Sequence, residues 1–271
     1  MTPILLASLL LSQAAAQSGP PAPPPSQRYE KCLDLATTNA TAAEAEAGQW
    51  QLAGGGFLAG QCLGMAYANE QRWTAAAAAF DAAARAAEKA GDGRSANYWA
   101  QAGNAWLASG DATKARAALD AALAGGTLSG LPLGEAHLDR ARAMVAGDDL
   151  EGARDDLDRA LAEVPTDPLA WLLSATLARR QQQIVRAKHD IAEALRLGAD
   201  DPAVQLEAGN IAAFARDEQG ARGAWQQAVT LRPDSEPGKA AAAALRQFDT
   251  APAATPSPTA PAAKAPAKGS R

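Results

Sequence analysis

Residues 106–123 read WLASGDATKARAALDAAL, and this stretch decides the fold of the chain. An apolar segment ends at the polar turn SGD; Ala115 then precedes Leu119 by four residues, and Ala122 follows three further on. Side chains three and four residues apart lie on one face of an α-helix. The stretch therefore predicts two helices joined by a tight turn, the second of which buries a large residue between two alanines.

This pattern of alanine, large apolar residue and alanine occurs five times along the chain. The first alanines of successive triplets are separated by 39, 38, 34 and 34 residues. The five triplets are Ala76, Phe80 and Ala83; Ala115, Leu119 and Ala122; Ala153, Leu157 and Ala160; Ala187, Ile191 and Ala194; and Ala221, Trp225 and Ala228. A helix pair cannot bury its apolar face alone, so such periods are typical of stacked repeats. The sequence predicts an all-α stack of five helix-turn-helix repeats.

The predicted first helices also carry small and aromatic residues at fixed spacing. Parts of the pattern W-x-x-L-G-x-x-Y are filled by Leu63, Gly64 and Tyr67; by Trp99, Ala102, Gly103 and Trp106; by Trp171 and Ala175; and by Ala208 and Gly209. With its 34-residue period, this pattern resembles the tetratricopeptide repeat (TPR) family. The resemblance covers residues 57–235 and is weakest at residues 141–144. It implies a right-handed α-solenoid. An N-terminal helical pair at residues 28–56 would precede the repeat array, which covers residues 57–248 and ends with a capping helix.

The glycine-rich run at residues 53–64, AGGGFLAGQCLG, raises the alternative of a phosphate-binding loop. Such loops follow a strand or end in Gly-Lys-Ser/Thr, whereas this run lies between two helical segments and lacks that ending. The segment before it opens with Thr41-x-x-Glu44, which predicts a capping box. We therefore predict a joint between two helices, the first of which ends at a glycine in the left-handed conformation.

The two ends of the chain differ in composition from the repeats. Residues 1–16 hold a short apolar run followed by small residues, which predicts a secretory signal peptide and not a membrane span. An unprocessed apolar N-terminus is the alternative, because no Lys or Arg precedes the run. Residues 17–27 form a proline-rich linker, and residues 249–271 a disordered Ala/Pro/Lys tail. We expect an exported, periplasmic protein with no transmembrane anchor after processing.

The distribution of charge argues against a nucleic-acid partner. The 271 residues carry a net charge of -5, and the tail contributes three cations, so residues 28–249 carry -5 - 3 = -8. A nucleic-acid binder presents clustered Lys and Arg on one face. The tail, with its cations Lys264, Lys268 and Arg271, is expected to be a solvated spacer, and a weak contact with an anionic envelope surface is the alternative.

The chain has two cysteines, Cys32 and Cys62. In an oxidising periplasm, two cysteines most simply form a disulfide. This bridge would close a loop of about 30 residues and tie the first helix to the repeat array. The alternative is two buried free thiols that pack as small apolar side chains.

Residues that carry catalysis are few and scattered. His137 and His189 lie in different repeats without zinc-ligand spacing, so each is expected on a helix surface or in a groove. No serine lies in G-x-S-x-G. Acidic residues within residues 151–163 alternate with arginines three and four positions away, which predicts a solvated helix face. We predict no enzymatic activity, no metal and no cofactor.

In TPR proteins the first helices line a concave groove that receives an extended peptide or a partner helix, and the resemblance implies the same here. Arg142, Arg179 and Arg180 would make the middle of the groove basic and favour an acidic or C-terminal carboxylate ligand. The alternative is that each arginine pairs with a neighbouring Asp or Glu. The implied groove residues are Gln61, Met65, Asn69, Asn97, Asn104, Leu107, Glu135, Leu138, Arg142, Leu172, Thr176, Arg179, Arg180, Leu206, Asn210 and Phe214.

These expectations together predict a non-catalytic protein–protein interaction scaffold of the bacterial cell envelope, whose partner is another protein or a peptide. The alternative function is a carrier of a small apolar ligand or lipid within the superhelix. A peptide groove needs polar groups along its length, whereas a lipid carrier needs a continuous apolar lining. The implied lining is mixed, which favours the scaffold.

Overall fold

The computed structural model describes residues 25–250. The predicted signal peptide, most of the predicted linker and the tail beyond residue 250 lie outside the described residues. Within the described range the chain forms thirteen α-helices and no strand, which confirms the predicted all-α, TPR-type architecture. None of these helices is both long enough and apolar enough to cross a membrane. The chain divides into two compact units, with the boundary between Leu128 and Ser129.

The first unit contains six helices: α1 (Pro25–Thr38), α2 (Ala40–Leu52), α3 (Gly56–Asn69), α4 (Trp73–Lys89), α5 (Ser95–Ala108) and α6 (Ala112–Ala124). Each helix packs on the next, and α1 also packs on α3. The pairs α3/α4 and α5/α6 are the first two repeats, and α1 with α2 is the N-terminal pair. α1 begins at Pro25, three residues before the predicted boundary.

The second unit contains seven helices: α7 (Leu131–Ala146), α8 (Leu150–Glu163), α9 (Pro168–Arg180), α10 (Ile184–Gly198), α11 (Pro202–Phe214), α12 (Glu218–Leu231) and α13 (Glu236–Thr250). Three repeats, α7/α8, α9/α10 and α11/α12, precede α13, which packs on both α11 and α12. The Phe248 ring lies edge-on to the Trp225 ring, with centroids 5.4 Å apart. α13 therefore covers the apolar face of the last repeat, as predicted for a capping helix.

The seam between the two helices of a repeat follows the sequence pattern. All fifteen residues of the five triplets are buried on α4, α6, α8, α10 and α12. Small residues on the first helices allow the close approach: a Cβ at Gly103 would lie 2.4 Å from Leu119, and a Cβ at Gly209 would lie 2.3 Å from Trp225. Interiors at this density leave no space for a larger side chain.

Every repeat turns between its two helices in the same way. The residue five positions before the first alanine of each triplet adopts the left-handed conformation, with φ between 57° and 83°. The backbone N–H of the following residue donates to a carbonyl of the first helix, as in a Schellman motif. These left-handed residues are Gln71, Gly110, Asp148, Gln182 and Arg216. In four repeats a non-glycine residue holds the turn at a cost of roughly 1–2 kcal/mol, which repeat packing offsets.

The glycine-rich run at residues 53–64 is a helix joint, as predicted. α2 ends at Leu52, Gly54 has a φ of 84°, and α3 begins at Gly56. The run continues into a buried helix, which is not the context of a phosphate-binding loop.

The predicted capping box at the start of α2 is wrong. Asn39 is the N-cap, and its side-chain oxygen accepts a hydrogen bond from the Ala42 N–H at 3.1 Å. The Thr41 hydroxyl instead donates to Glu70, the residue that follows α3, at 3.1 Å. Asn is as good an N-cap as Thr or better, so helix α2 begins earlier than the Thr-x-x-Glu pattern suggested.

Cys32 of α1 and Cys62 of α3 form a disulfide with their Cα atoms 6.0 Å apart. Both residues are fully buried and pack beside Ala47 of α2. Of the two alternatives for the cysteines, the structure has the bridge, which holds the N-terminal pair against the first repeat.

Candidate functional site

An apolar pocket lies between the first helices α7 and α9 of the second unit. Its volume is about 140 Å³. Leu157 of α8, only 1% exposed, closes the bottom of the pocket. The lining residues are Ala141, Arg142, Val145, Leu157, Leu173, Thr176, Leu177 and Arg180. Three of the implied groove residues, Arg142, Thr176 and Arg180, are therefore brought together around one cavity.

Both arginine side chains of this pocket are exposed, and each makes an ion pair with an aspartate. Arg142 Nη1 lies 2.9 Å from Asp139, and Arg180 Nη2 lies 3.8 Å from Asp148, whose side chain is 89% exposed. Each pair engages one guanidinium nitrogen, and each guanidinium carries five N–H donors. Exposed pairs of this kind contribute little stability, so both arginines can exchange their partner for a ligand carboxylate.

Arg179, the third predicted basic residue, has a different environment. Its guanidinium makes two hydrogen bonds, of 2.6 and 3.2 Å, to Glu207 of α11, whose side chain is buried. Asn210 donates to the same carboxylate at 3.1 Å and accepts a hydrogen bond from Trp225 Nε1, also at 3.1 Å. Arg179 and Asn210 thus join α9 to α11 and α12. Phe214, at the end of α11, is half exposed.

The implied groove residues of the first unit also fall into two groups: some bond to neighbouring helices, and others are exposed. Gln61 is buried, accepts a hydrogen bond from the Tyr29 hydroxyl and donates to Gln101 at 3.4 Å. Asn69 donates to the backbone oxygen of Ala36 in α1. Both amides therefore hold α3 against its neighbours. Two further groove residues, Asn97 and Asn104, are exposed on α5.

A buried ionic cluster joins α7 to α8. Asp156 is 1% exposed, accepts hydrogen bonds of 2.6 and 2.8 Å from Arg140, and lies 3.1 Å from His137 Nδ1. Burial acts to raise the pKa of Asp156, but the hydrogen bonds from Arg140 and His137 outweigh it and hold the pKa at about 2. The predicted solvated face at residues 151–163 is therefore wrong for Asp156, and His137 is buried instead of lying at a surface. The spacing of charges along α8 does not reveal that the neighbouring helix α7 packs over Asp156.

One repeat later, Asp190 is buried in the same register as Asp156. It accepts a hydrogen bond from the Ser174 hydroxyl, and Ser174 in turn accepts one from Arg154 at 2.8 Å. These contacts hold α9 between α8 and α10. His189 is largely exposed, as predicted for a helix surface, and lies edge-on to Trp171 with ring centroids 5.8 Å apart. Within residues 25–250, no group of three or more His, Cys, Asp or Glu side chains is placed to hold a metal ion.

A wider depression of about 970 Å³ lies among residues of α8, α9, α10 and the turn between α9 and α10. Its charged side chains are engaged with each other: Arg186 pairs with Asp158, and its Nε lies 3.3 Å from Asp190. The depression is lined by Asp158, Leu161, Ala162, Trp171, Gln182, Gln183, Ile184, Val185, Arg186, His189 and Asp190. Its lining is not continuously apolar.

Sequence reasoning identified the polar rim of the α7/α9 pocket and the buried Leu157, but it missed the apolar residues Val145 and Leu173. Val145 and Leu173 lie three residues from Arg142 and Thr176, so they occupy the same helix faces. Helical spacing from the groove positions is the signal that could have found them.

Comparison with known proteins agrees with the repeat pattern. A tetratricopeptide repeat family profile matches residues 134–177, which span most of α7, all of α8 and most of α9. The match falls on the repeat whose first helix carries the fewest pattern residues. A search of curated protein sequences gave no match.

Solved structures share the fold over most of their length. The type IV pilus biogenesis factor PilW has a TM-score of 0.66 and 18% identity, covering 79% of this chain and 96% of PilW. Pseudomonas aeruginosa pilF has a TM-score of 0.63 and 15% identity, covering 81% and 99%. YrrB, a TPR protein, has a TM-score of 0.54 and 17% identity, covering 69% and 91%. One repeat thus matches the tetratricopeptide repeat profile, and the stacked helix pairs of residues 25–250 have the TPR-type fold of these solved structures.

Proposed function

We propose that this protein is a non-catalytic scaffold that binds a peptide segment or a partner helix along its first helices. The observation that carries the proposal is the apolar pocket between α7 and α9 with two arginines at its rim. Ligand sites commonly combine an apolar cavity with a few polar groups that fix orientation. YrrB, which shares the fold, is described as a TPR protein with an unusual peptide-binding site.

The predicted groove residues take two roles in this proposal. Exposed or pocket-lining residues contact the ligand: Arg142, Thr176 and Arg180, with Asn97, Asn104 and Phe214 at exposed positions of other first helices. Four further groove residues position the helices, because their polar groups bond to another helix: Gln61, Asn69, Arg179 and Asn210.

The two cavities described above do not favour the carrier alternative. Pockets that enclose a small-molecule ligand have volumes of about 300–1,000 Å³ and mostly apolar walls. The apolar groove pocket has about 140 Å³, and the larger depression has paired charges in its lining. The scaffold therefore remains the single function that we propose.

We further propose that the scaffold acts in the cell envelope after export. Support comes from the N-terminal composition and from the shared fold of PilW, a type IV pilus biogenesis factor. Intact-mass measurement of the protein from a periplasmic fraction tests this. A chain beginning at Gln17 supports export and cleavage, whereas an unprocessed chain confined to the cytoplasm refutes both.

Photo-crosslinking in cells tests the binding surface. A photoreactive phenylalanine analogue replaces Thr176 or Asn104, one at a time, and Asp155 on the exposed face of α8 serves as the control position. We expect discrete protein adducts from Thr176 and Asn104 and none from Asp155. Equal labelling at all three positions, or adducts with the mass of lipid, would refute the scaffold proposal.

A further inference from the structure

The second unit has two gaps between neighbouring first helices, and at one pair of equivalent positions these gaps carry side chains of opposite character. Arg179 and Glu207 occupy the gap between α9 and α11, and Val145 and Leu173 stand 34 residues earlier in the gap between α7 and α9. In the later gap the two hydrogen bonds from Arg179 to Glu207 bridge the helices. In the earlier gap the equivalent side chains are apolar and cannot form such a bridge. A pocket remains between them.

The size of the pocket limits what it can hold. An engineered protein cavity of about 150 Å³ lined by aliphatic side chains stays dry and binds benzene. The α7/α9 pocket is of similar size, about 140 Å³, and its wall is formed by Ala141, Val145, Leu157, Leu173 and Leu177. It therefore fits one Leu, Ile, Met or Phe side chain and not an acyl chain.

The two arginines at the rim of the pocket favour a ligand that carries a negative charge. Arg142 and Arg180 both line the opening, and the ion pair of Arg180 with the exposed Asp148 is long, at 3.8 Å. A guanidinium binds a carboxylate through two parallel N–H donors. A ligand carboxylate next to the inserted side chain would thus meet two exposed guanidinium groups, and that of Arg180 would give up only its long pair with the exposed Asp148.

We propose that the α7/α9 pocket binds a peptide segment through one apolar anchor side chain, and that an adjacent Asp or Glu carboxylate of that segment pairs with Arg142 and Arg180. This inference rests on the proposed function and specifies the class of ligand. The anchor residue supplies affinity through burial, and the carboxylate fixes the direction in which the segment lies.

The probe is a library of random 12-residue peptides displayed on phage and selected on the full chain. Selected peptides are expected to share an apolar residue within a few positions of Asp or Glu. The most enriched peptide is then synthesised with a fluorophore, and its dissociation constant is measured by fluorescence anisotropy at two salt concentrations.

Two pairs of substitutions separate the apolar anchor from the charged rim. Val145→Arg with Leu173→Glu copies the ion pair of the next repeat into the pocket and keeps both rim arginines. We expect it to weaken binding at least tenfold. Val145→Phe fills the pocket without adding charge and serves as a second test should the ionic pair not fold. Arg142→Gln with Arg180→Gln should weaken binding and remove most of its salt dependence.

The outcomes distinguish this inference from the proposed function. If selected peptides bind equally well to the wild type and to folded pocket-filling variants, the pocket is not the anchor site, although the scaffold function stands. If amide replacement of the peptide carboxylate weakens binding equally with and without the rim arginines, the charge pairing is wrong. If no peptide is enriched and Thr176 gives no protein adduct in cells, the peptide-binding function fails as well.

Discussion

Replacing Asp156 by Asn gives the sharpest test of the buried ionic cluster between α7 and α8. The substitution keeps the shape of the side chain and removes the charge that faces Arg140 and His137. The pKa of Asp156 is lowered from its ordinary 3.8 to about 2. This shift corresponds to about 2 kcal/mol of stability at neutral pH. Because breaking a buried pair also takes a buried carboxylate away from the Arg140 guanidinium, we expect a total loss of about 2–3 kcal/mol.

The same shift predicts the pH dependence of the loss. A carboxylate whose pKa is lowered by folding stabilises the protein fully above its ordinary pKa, and this contribution disappears as the pH falls through the folded-state value. The contribution of Asp156 is therefore complete above about pH 5, falls to about half by pH 3, and is lost below about pH 2. The difference in unfolding free energy between wild type and Asp156→Asn should therefore become smaller as the pH falls from about 5 to about 2.

Urea unfolding followed by circular dichroism at pH 7 and pH 3 measures this difference. Asp155→Asn is the matched control, because Asp155 is the preceding residue of the same helix and is exposed. It should change the free energy of unfolding by less than about 0.5 kcal/mol. Equal losses for the two variants, or a loss for Asp156→Asn that is the same at both pH values, would refute the assigned role of the cluster.

Two further predictions concern packing and the disulfide. Gly209→Ala should lower the free energy of unfolding by about 1–3 kcal/mol, because its Cβ would lie 2.3 Å from Trp225; Gly223→Ala, with nothing within 4 Å, should be neutral or stabilising. Thermal unfolding of both variants decides this, and a stable Gly209→Ala protein would show that the seam is looser than described. Reducing the Cys32–Cys62 bridge should lower stability by about 3–4 kcal/mol. Free thiols counted before reduction in the purified protein would contradict the bridge.

Local patterns predicted most of the fold. The triplets identified five second helices and their buried faces, because spacing along a helix fixes which side chains share a face. The glycine-rich joint between α2 and α3 could likewise be assigned from its flanking segments. The left-handed turns were harder to predict from sequence, since only one of the five left-handed residues, Gly110, is a glycine. The other four adopt it because packing of the paired helices requires the turn.

The candidate site was only partly predictable, because its residues are chosen by contacts between repeats. Arg142 and Arg179 look alike in sequence, yet Arg142 pairs with Asp139 of its own helix, whereas Arg179 is engaged by the buried Glu207 of α11. Which role each takes depends on the residue one repeat later that faces it.

The repeat period, the helix faces and the closeness of the paired helices follow from local sequence, because they depend on the order and size of neighbouring side chains. Contacts between helices are needed to see that Asp156 is buried while Asp155 is exposed. Such contacts also close one gap between first helices with an ion pair and leave the other as an apolar pocket. The physical reason is that burial and charge pairing depend on groups from other helices, and the environment that they form sets the cost of each charge.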